Sequence, residues 1–274
     1  MQNLTFFNNI PRHFSLFLFA FLINFTNFAI MLVKTEAIVL HSLKYGESKL
    51  IVDLFTRESG RLSCIVGIPK TGRGRLKKQY FQPLSLLDVE CDIRPNVQLQ
   101  KLRDARLLHP FSTLTVEPVK ISISLFLAEF LYHALRGEQQ PDTGMFDYMK
   151  HSLLWLDEAK TGYANFHLAF LIHLSRFLGV GLLRSMTQEG EGLFFDLREG
   201  EYCDVPPLHQ EFLRPEEASR IKNMLRMDYQ NMHLFRLSHT ERNRCLDVIL
   251  AYYRLHLPAF PELKSLSVLQ ALFA

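Results

Sequence analysis

The sequence contains few cysteines, and no two of them are close along the chain. Its four cysteines, Cys64, Cys91, Cys203 and Cys245, form no C-x-x-C pair. Small secreted domains that depend on disulfides need a denser set of cysteines, and a structural zinc site usually starts from two closely spaced ones. We therefore expect neither a disulfide scaffold nor a bound metal, and we expect Cys64 and Cys91 in an apolar core.

Motifs for phosphate binding and catalysis are also missing. Gly72 and Gly74 do not stand between a strand and a helix, as the glycines of nucleotide-binding loops do. His167 and His173 lie six positions apart, whereas two metal ligands on one helix face need a spacing of about four. We therefore expect a protein that is not an enzyme and that needs no cofactor.

Charged residues are distributed unevenly along the chain. With 22% charged and 48% hydrophobic residues in 274 positions, the protein is a folded one of about two domains rather than a disordered chain. Residues 31–110 carry 14 Lys and Arg against 8 Asp and Glu, whereas residues 111–274 carry 16 against 20. These net charges of +6 and −4 indicate a polyanionic partner for the first part and predict a domain boundary near residue 110.

Residues 1–30 differ in composition from the rest. They contain one charged side chain, Arg12, and residues 14–32 contain none. A membrane span and a secretory signal are two interpretations. However, Asn24 and Asn27 interrupt the apolar run, and no small-residue cleavage pattern is present. We therefore expect an apolar extension that is not part of the fold, or a translation start at Met31.

Residues 31–110 have the pattern of short β-strands. Apolar segments that alternate at period two lie at about residues 35–43, 50–55, 62–68, 87–93 and 97–103, with turn residues between them. Five short strands in so few residues fit a closed barrel, which leaves few free strand edges. An OB fold is the first prediction and an SH3-like barrel the second.

A basic loop between the third and fourth predicted strands is the main candidate for a binding site. Cations that follow phosphates, beside aromatic rings that stack on bases, are typical of single-strand-binding grooves. The alternative is a solvated loop whose aromatic residues plug the end of the barrel. The candidate nucleic-acid-binding residues are Lys70, Arg73, Arg75, Lys77, Lys78, Tyr80 and Phe81, with Arg94, Lys101 and Arg103 extending the basic surface.

Residues 111–274 are predicted to form mainly helices with one β-hairpin. Helical spacing covers residues 118–135, 143–159, 163–178, 215–226, 239–255 and 266–273. Ser238 and Glu241 have the spacing of a capping box, and the turn Arg198-Glu199-Gly200 predicts the hairpin. The predicted fold class is α+β, with a five-stranded OB-like β-barrel followed by a mainly α-helical domain.

Three segments of the barrel resemble the opening of RecO-type recombination mediators. They are Val33-Lys-Thr-Glu-Ala-Ile-Val-Leu40, Tyr45-Gly-Glu-Ser48 and Leu54-Phe-Thr-Arg-Glu-Ser-Gly-Arg61. Residues 194–203 and 263–269 are similar to members from Bacteroidetes-like bacteria. The resemblance covers the chain from Met31 onwards and is most specific over the first thirty of those residues.

This resemblance implies a cytoplasmic, nucleoid-associated DNA repair protein of the bacterial RecF recombination pathway. Such proteins bind single- and double-stranded DNA, anneal strands, and help load the RecA recombinase onto DNA covered by single-strand-binding protein. The implied protein partners are RecR and the acidic C-terminal tail of single-strand-binding protein. Many members also bind zinc through paired cysteines in the helical domain, a feature that does not carry over to this chain.

Arg176 is the candidate contact for that acidic tail. It lies between Leu174 and Phe177 on the third predicted helix, and apolar anchors beside an arginine are common at protein interfaces. Two other functions stay open. One is a membrane-tethered helical scaffold with an OB-like adaptor module, which depends on residues 14–32, and the other is an RNA-binding OB-fold protein.

Overall fold

The structure, a computed structural model, describes residues 30–68, 76–181 and 192–272. The predictions for residues 1–29 and for Lys70, Arg73 and Arg75 in the basic loop lie outside these described residues. In the part of the chain that is described, no helix combines the length and the apolar character that a bilayer crossing requires.

Five strands close into a barrel at the beginning of the described chain. They are β1 (Met31–Tyr45), β2 (Lys49–Thr56), β3 (Gly60–Gly67), β4 (Leu86–Ile93) and β5 (Leu99–His109). Their order around the barrel is β1-β2-β3-β5-β4, and β4 pairs back with β1. The strand pairs are antiparallel except for β3 and β5, which are parallel. This small closed barrel confirms the OB-like prediction over the SH3-like alternative.

A β-bulge changes which residues of β1 point outwards. The pairing of β1 with β2 shifts register between Val39 and His41. The backbone N–H of Leu84 donates to the carbonyl of Val39 at 2.7 Å, so the segment before β4 supports the bulge. Because one extra residue reverses the alternation of side chains, Leu43 and Tyr45 lie on the outer surface of the barrel.

Helices make up most of the second half, as predicted. They are α1 (Pro118–Ala134), α2 (Thr143–Glu158), α3 (Phe166–Leu174), α4 (Pro215–Met224), α5 (His239–His256) and α6 (Leu266–Leu272). A small sheet of β6 (Phe194–Asp196), β7 (Glu201–Cys203) and β8 (Phe212–Leu213) contains the predicted hairpin and one strand that was not predicted. The capping box is present, since Ser238 accepts from the Glu241 backbone and Glu241 from the Ser238 backbone.

Two helical predictions need correction. The third helix ends at Leu174 instead of residue 178. The buried hydroxyl of Ser175 donates to the carbonyl of Ile172 at 2.6 Å, a local bond that competes with the helical pattern. The predicted helix over residues 118–135 includes Leu125 among the apolar positions that indicate a largely buried helix, but Leu125 is 48% exposed, whereas Phe126 and Leu127 are buried.

Outward-facing residues at one end of the barrel pack against the helices. Ile38, Leu40 and Phe55 belong to the same buried cluster as the helical core, and the ring of Phe55 stacks against Phe146 with 6.4 Å between centroids. A separate cluster, which includes Val39, fills the barrel interior. The two halves therefore share one hydrophobic core across their junction.

The segment between barrel and helices is held by two buried charged groups. Asp157 accepts backbone N–H bonds from Ser112, Thr113 and Leu114 at 2.8 to 3.1 Å. Burial raises the pKa of this carboxyl, but the hydrogen bonds outweigh burial and lower the pKa to about 2. Lys120, fully buried, donates to the Thr113 hydroxyl and to the Ala159 carbonyl, both at 2.7 Å.

Candidate nucleic-acid interface

Strand register places a set of side chains on one outer surface of the barrel. Residues that pair directly across neighbouring strands point to the same side of a sheet. The pairs Leu43–Ile51, Ile51–Ile65 and Ile65–Lys101 form one row across β1, β2, β3 and β5. Adjacent positions on the same side complete what we call the open face, which consists of Leu43, Tyr45, Lys49, Ile51, Ile65, Leu99 and Lys101.

The open face remains accessible because the helices cover only one end of this surface. On β1 the helical domain buries Ile38 and Leu40, whereas Leu43 is 55% and Tyr45 53% exposed. Apolar side chains occupy the middle of the open face and lysines its edge. This combination of an apolar, ring-containing surface with nearby cations suits bases and phosphates of a single strand.

A cleft of about 460 Å³ lies at the β3–β5 side of the open face. Lys49 is the first residue of β2, directly after the β1–β2 turn, Arg94 lies in the β4–β5 turn, and Lys101 lies in β5. The turns β1–β2 and β4–β5 of OB folds are the ones that usually contact oligonucleotides. The complete lining is Lys49, Ile65, Gly67, Asp92, Arg94, Val97, Leu99, Gln100, Lys101 and Leu102.

A buried glutamine holds the β4–β5 turn in place. The Gln100 side-chain oxygen accepts from the Arg94 backbone N–H at 2.9 Å, and its nitrogen donates to the carbonyls of Arg94, at 3.1 Å, and Val97. Only 6% of Gln100 is exposed. The amide supplies both donors and an acceptor to the turn, and it thereby fixes the position from which Arg94 enters the cleft wall.

The acids near the cleft are neutralised within the barrel. Asp92, which lies in the cleft wall, forms an ion pair with Arg103 at 2.6 Å. On the outer surface of β1 and β5, Lys34 pairs with Glu90 at 2.6 Å and Arg106 approaches Asp104 at 3.7 Å. Asp92, the one acid among the described residues of the cleft lining, is therefore paired with a cation, whereas Lys49 and Lys101 line the same cleft.

The structure brings only part of the predicted site together. Arg94 and Lys101 line the cleft, and Arg103 contacts it through Asp92. Lys77 and Lys78 are exposed at the start of a short 3₁₀ helix that packs against β1 and β5, outside the cleft lining. These five stay predictions as DNA contacts.

The aromatic part of the prediction needs correction. Phe81 is 1% exposed and belongs to the barrel core, so its ring is not accessible for stacking on bases in this structure. Tyr80 is half-buried against the same core. Both rings therefore fit the alternative prediction, in which the aromatic residues plug the end of the barrel. The apolar interior of a small barrel must be closed at its ends.

Several residues of the open face were not predicted from the sequence. Lys49 and Ile51 alternate with the apolar residues of β2 that face inwards. This period-two pattern was a usable signal, since the outward positions of an inward-facing strand follow from it. Tyr45 had no comparable signal, because its direction depends on the bulge in β1.

The remaining candidate residues have structural roles in the described chain. The sulfur atoms of Cys64 and Cys91 lie 3.9 Å apart in the barrel core, as expected for small buried residues. His167 is fully buried, which lowers its pKa to about 3 and keeps it neutral. Among the described residues, no three His, Cys, Asp or Glu side chains are grouped so that they could hold a metal.

Arg176 lies on the surface in the turn that follows α3. Its neighbour Phe177 is 37% exposed and stacks against Tyr148 with 5.4 Å between ring centroids. The prediction placed Arg176 on the third helix, but that helix ends at Leu174, and the exposed Arg176 lies two residues beyond it. Its role as a partner contact stays a prediction.

Comparisons with known proteins cover almost the whole described chain. The family model for recombination protein O, N terminal, matches residues 31–111, and the model for recombination protein O, C terminal, matches residues 117–267. The chain is 50% identical to the DNA repair protein RecO of Phocaeicola vulgatus over 244 residues, which cover 89% of this chain and all of that protein. It is similarly 47% identical over 244 residues to RecO of Bacteroides fragilis and 35% identical over 249 residues to RecO of Porphyromonas gingivalis, with the same coverage.

Proposed function

The chain belongs to the RecO family of DNA repair and recombination proteins, and we propose that it is a non-enzymatic mediator that uses the open face to bind DNA. In this proposal it binds single- and double-stranded DNA, anneals complementary strands, and assists the loading of RecA onto DNA covered by single-strand-binding protein. We propose the cytoplasm as its place of action.

One observation carries the DNA-binding part of the proposal. Lys49, Arg94 and Lys101 come from three separate chain segments and line one cleft beside the exposed apolar centre of the open face. Phosphates would contact the cations, and bases would lie against the apolar side chains. Protein partners are proposed on the family resemblance, with RecR as one partner and the acidic tail of single-strand-binding protein, at Arg176, as another.

Neutralising the two lysines of the open face tests this proposal. We expect Lys49→Gln combined with Lys101→Gln to weaken binding to an oligo-dT strand at least several-fold. Because each lost phosphate contact on a single strand removes about 0.7 from the slope of log affinity against log salt, the slope should fall by about 1.4. Fluorescence anisotropy at a series of salt concentrations measures both quantities.

The matched control removes two positive charges beside β4, outside the cleft lining. Lys34→Gln combined with Arg106→Gln changes the net charge equally, but these side chains already pair with Glu90 and Asp104. Equal losses in both double variants would show a general charge effect and would contradict a site on the open face. Tighter binding to an RNA strand of matched sequence would favour the RNA-binding alternative.

A further inference from the structure

Two arginines, one from each half of the molecule, contact the same tyrosine at the junction between the barrel and the helical domain. Arg61 of β3 donates to the backbone carbonyl of Tyr132 near the end of α1 at 2.7 Å, and its guanidinium carbon lies 4.8 Å from the centre of the Tyr132 ring. Arg136, exposed in the turn after α1, lies 5.7 Å from the centre of the same ring. One tyrosine thus holds two guanidinium groups, one from each half of the molecule.

Two histidines lie against the same tyrosine. The imidazole of His41 is 4.8 Å and that of His133 is 5.0 Å from the Tyr132 ring, measured between centroids. The pKa of His133 is lowered, first by burial and then by the positive charges of Arg136 and Arg61, against the opposing effect of Glu129. The guanidinium groups of Arg61 and Arg136 therefore lie close enough to His133 to act on its charge. We define the seam as His41, Arg61, Tyr132, His133 and Arg136.

The two arginines of the seam differ in how far their charge is compensated. Arg61 is mostly buried and lies 3.8 Å from Asp53, which also lies 3.6 Å from His41. Arg136 is exposed, and its guanidinium group lies over the ring of Tyr132. A cation held over a ring in this way keeps its N–H groups available for an anion. The planar guanidinium group of Arg136 suits a phosphate oxygen pair.

Strand register shows that the seam adjoins the open face. His41 lies two residues before Leu43 on the same side of β1, which corresponds to about 7 Å along the strand. No other element separates them along β1. The apolar row of the open face and the cations of the seam are therefore neighbouring parts of one surface.

We propose that a DNA strand bound on the open face continues across the seam, where Arg136 of the helical domain binds its phosphate backbone. In this arrangement Tyr132 is a positioning residue, because it holds the guanidinium group of Arg136 at the edge of the barrel. The proposal rests on the proposed function and extends the DNA path to the half of the molecule whose net charge is negative.

Strand length and one charge reversal test this proposal. We compare the full chain with the Arg136→Glu variant on oligo-dT strands of about 5 and about 16 nucleotides, the range of site sizes for one OB fold. Arg136→Glu should weaken binding of the long strand about fivefold or more and lower its salt slope by about 0.7. Binding of the short strand, which the open face holds alone, should not change.

The controls separate this proposal from general electrostatics and from the proposed function. Arg236→Glu reverses an exposed charge elsewhere in the helical domain and should change neither affinity. Two outcomes would overturn the continuation. One is an equal loss of affinity in the Arg136 and Arg236 variants, and the other is an equal loss of affinity for both strand lengths in the Arg136 variant.

The Lys49 and Lys101 double variant identifies which proposal fails. If it weakens binding of both strands while Arg136→Glu has no effect, the open face holds DNA but the continuation is wrong. If neither variant changes binding, the proposed function itself fails. Arg136→Gln, checked for folding by circular dichroism, should also weaken binding of the long strand and not of the short one, with a smaller loss of affinity. If Arg136→Gln binds the long strand as tightly as the unchanged protein, the continuation is also overturned.

Discussion

At the residue scale, Asp157 shows how a single carboxylate orders a connection between two halves of a protein. Three successive backbone N–H groups of the segment after β5 point at its oxygens. In an apolar environment these N–H groups would be costly if they had no acceptor. The carboxylate therefore stabilises one path of the chain from barrel to helices.

Replacing this carboxylate should have an effect that depends on pH. The pKa of Asp157 in the folded protein, about 2, is below its ordinary value of 3.8. Its charge therefore stabilises the fold at pH values above about 4, and this stabilisation is lost as the pH falls through about 2. We expect Asp157→Asn to lower the free energy of unfolding by about 1.5–3 kcal/mol at pH 7 and by less near pH 2.5.

Urea unfolding at several pH values, followed by the fluorescence of Trp155, measures this difference. Trp155 is the one tryptophan of the chain and stacks against Phe166 and Tyr229 in the helical half. The control is Glu158→Gln, which removes an exposed carboxylate at the next position. A destabilisation of Asp157→Asn that is the same at pH 7 and pH 2.5 would contradict the role of its charge.

At the element scale, the β4–β5 turn depends on one side chain for its shape. Gln100 bonds to both ends of the turn, at Arg94 and Val97. Arg94 belongs to this turn and lines the cleft. A change at Gln100 should therefore affect both the stability of the barrel and the affinity for DNA.

We expect Gln100→Ala to lower the free energy of unfolding by about 1–3 kcal/mol, because it removes three hydrogen bonds between a buried side chain and the backbone of the turn. Affinity for oligo-dT should fall as well, since Arg94 is then less well positioned. Urea unfolding and fluorescence anisotropy measure the two effects. Gln98→Ala, an exposed glutamine of the same turn, should change neither, and if both variants behave alike the proposed role of Gln100 is wrong.

The elements also show what period and turn residues can predict. Among the described residues, the five barrel strands and six helices each overlap a predicted segment, because hydrophobic period and capping residues such as Ser238 act locally. Their ends were less accurate, since β5 continues to His109 and the third helix stops at Leu174. The strand Phe212–Leu213 was not predicted, since two residues carry no periodic pattern. The bulge in β1 was not predicted either, because its support comes from Leu84, more than forty residues further along the chain.

At the scale of the whole molecule, the barrel and the helices are packed as closely as the parts of one domain. Arg57 pairs with Asp147 at 2.8 Å, Lys150 with Glu36 at 2.8 Å, and Arg61 N–H donates to the Glu138 carbonyl at 2.9 Å. At Gly60 a Cβ atom would lie 2.6 Å from the Gln140 carbonyl oxygen. Only glycine fits this contact between the β2–β3 turn and the segment before α2.

A pair of glycine substitutions tests this packing. Gly60 and Gly46 both have positive φ, of 62° and 66°, but a Cβ at Gly46 meets no atom within 4 Å. Both Gly→Ala changes should cost about 1–3 kcal/mol of backbone strain, and Gly60→Ala should cost about 1–3 kcal/mol more through overpacking. Urea unfolding measures the free energy of unfolding of both variants. An equal loss in the two variants would show that the junction accommodates the added methyl group at residue 60 without a loss of stability.

Net charge at this scale conceals the arrangement of local charge. Residues 111–274 are acidic overall, yet they place Arg136 beside the basic barrel at the seam. A domain average could not predict this, because the neighbours of an exposed arginine are decided by packing. Because packing places Arg136 at the seam, the proposed DNA path extends onto the helical half even though the net charge of that half is negative.

The sequence by itself determined the α+β class, the strands and helices, and the resemblance to the RecO family, since each depends on local period, local caps or short motifs. It also indicated a basic surface that includes Arg94 and Lys101. Only the tertiary structure decided that Phe81 closes the barrel, that Tyr45 belongs to the open face, and that Arg136 adjoins it. These depend on barrel closure, strand register and the docking of α1, which join residues far apart along the chain.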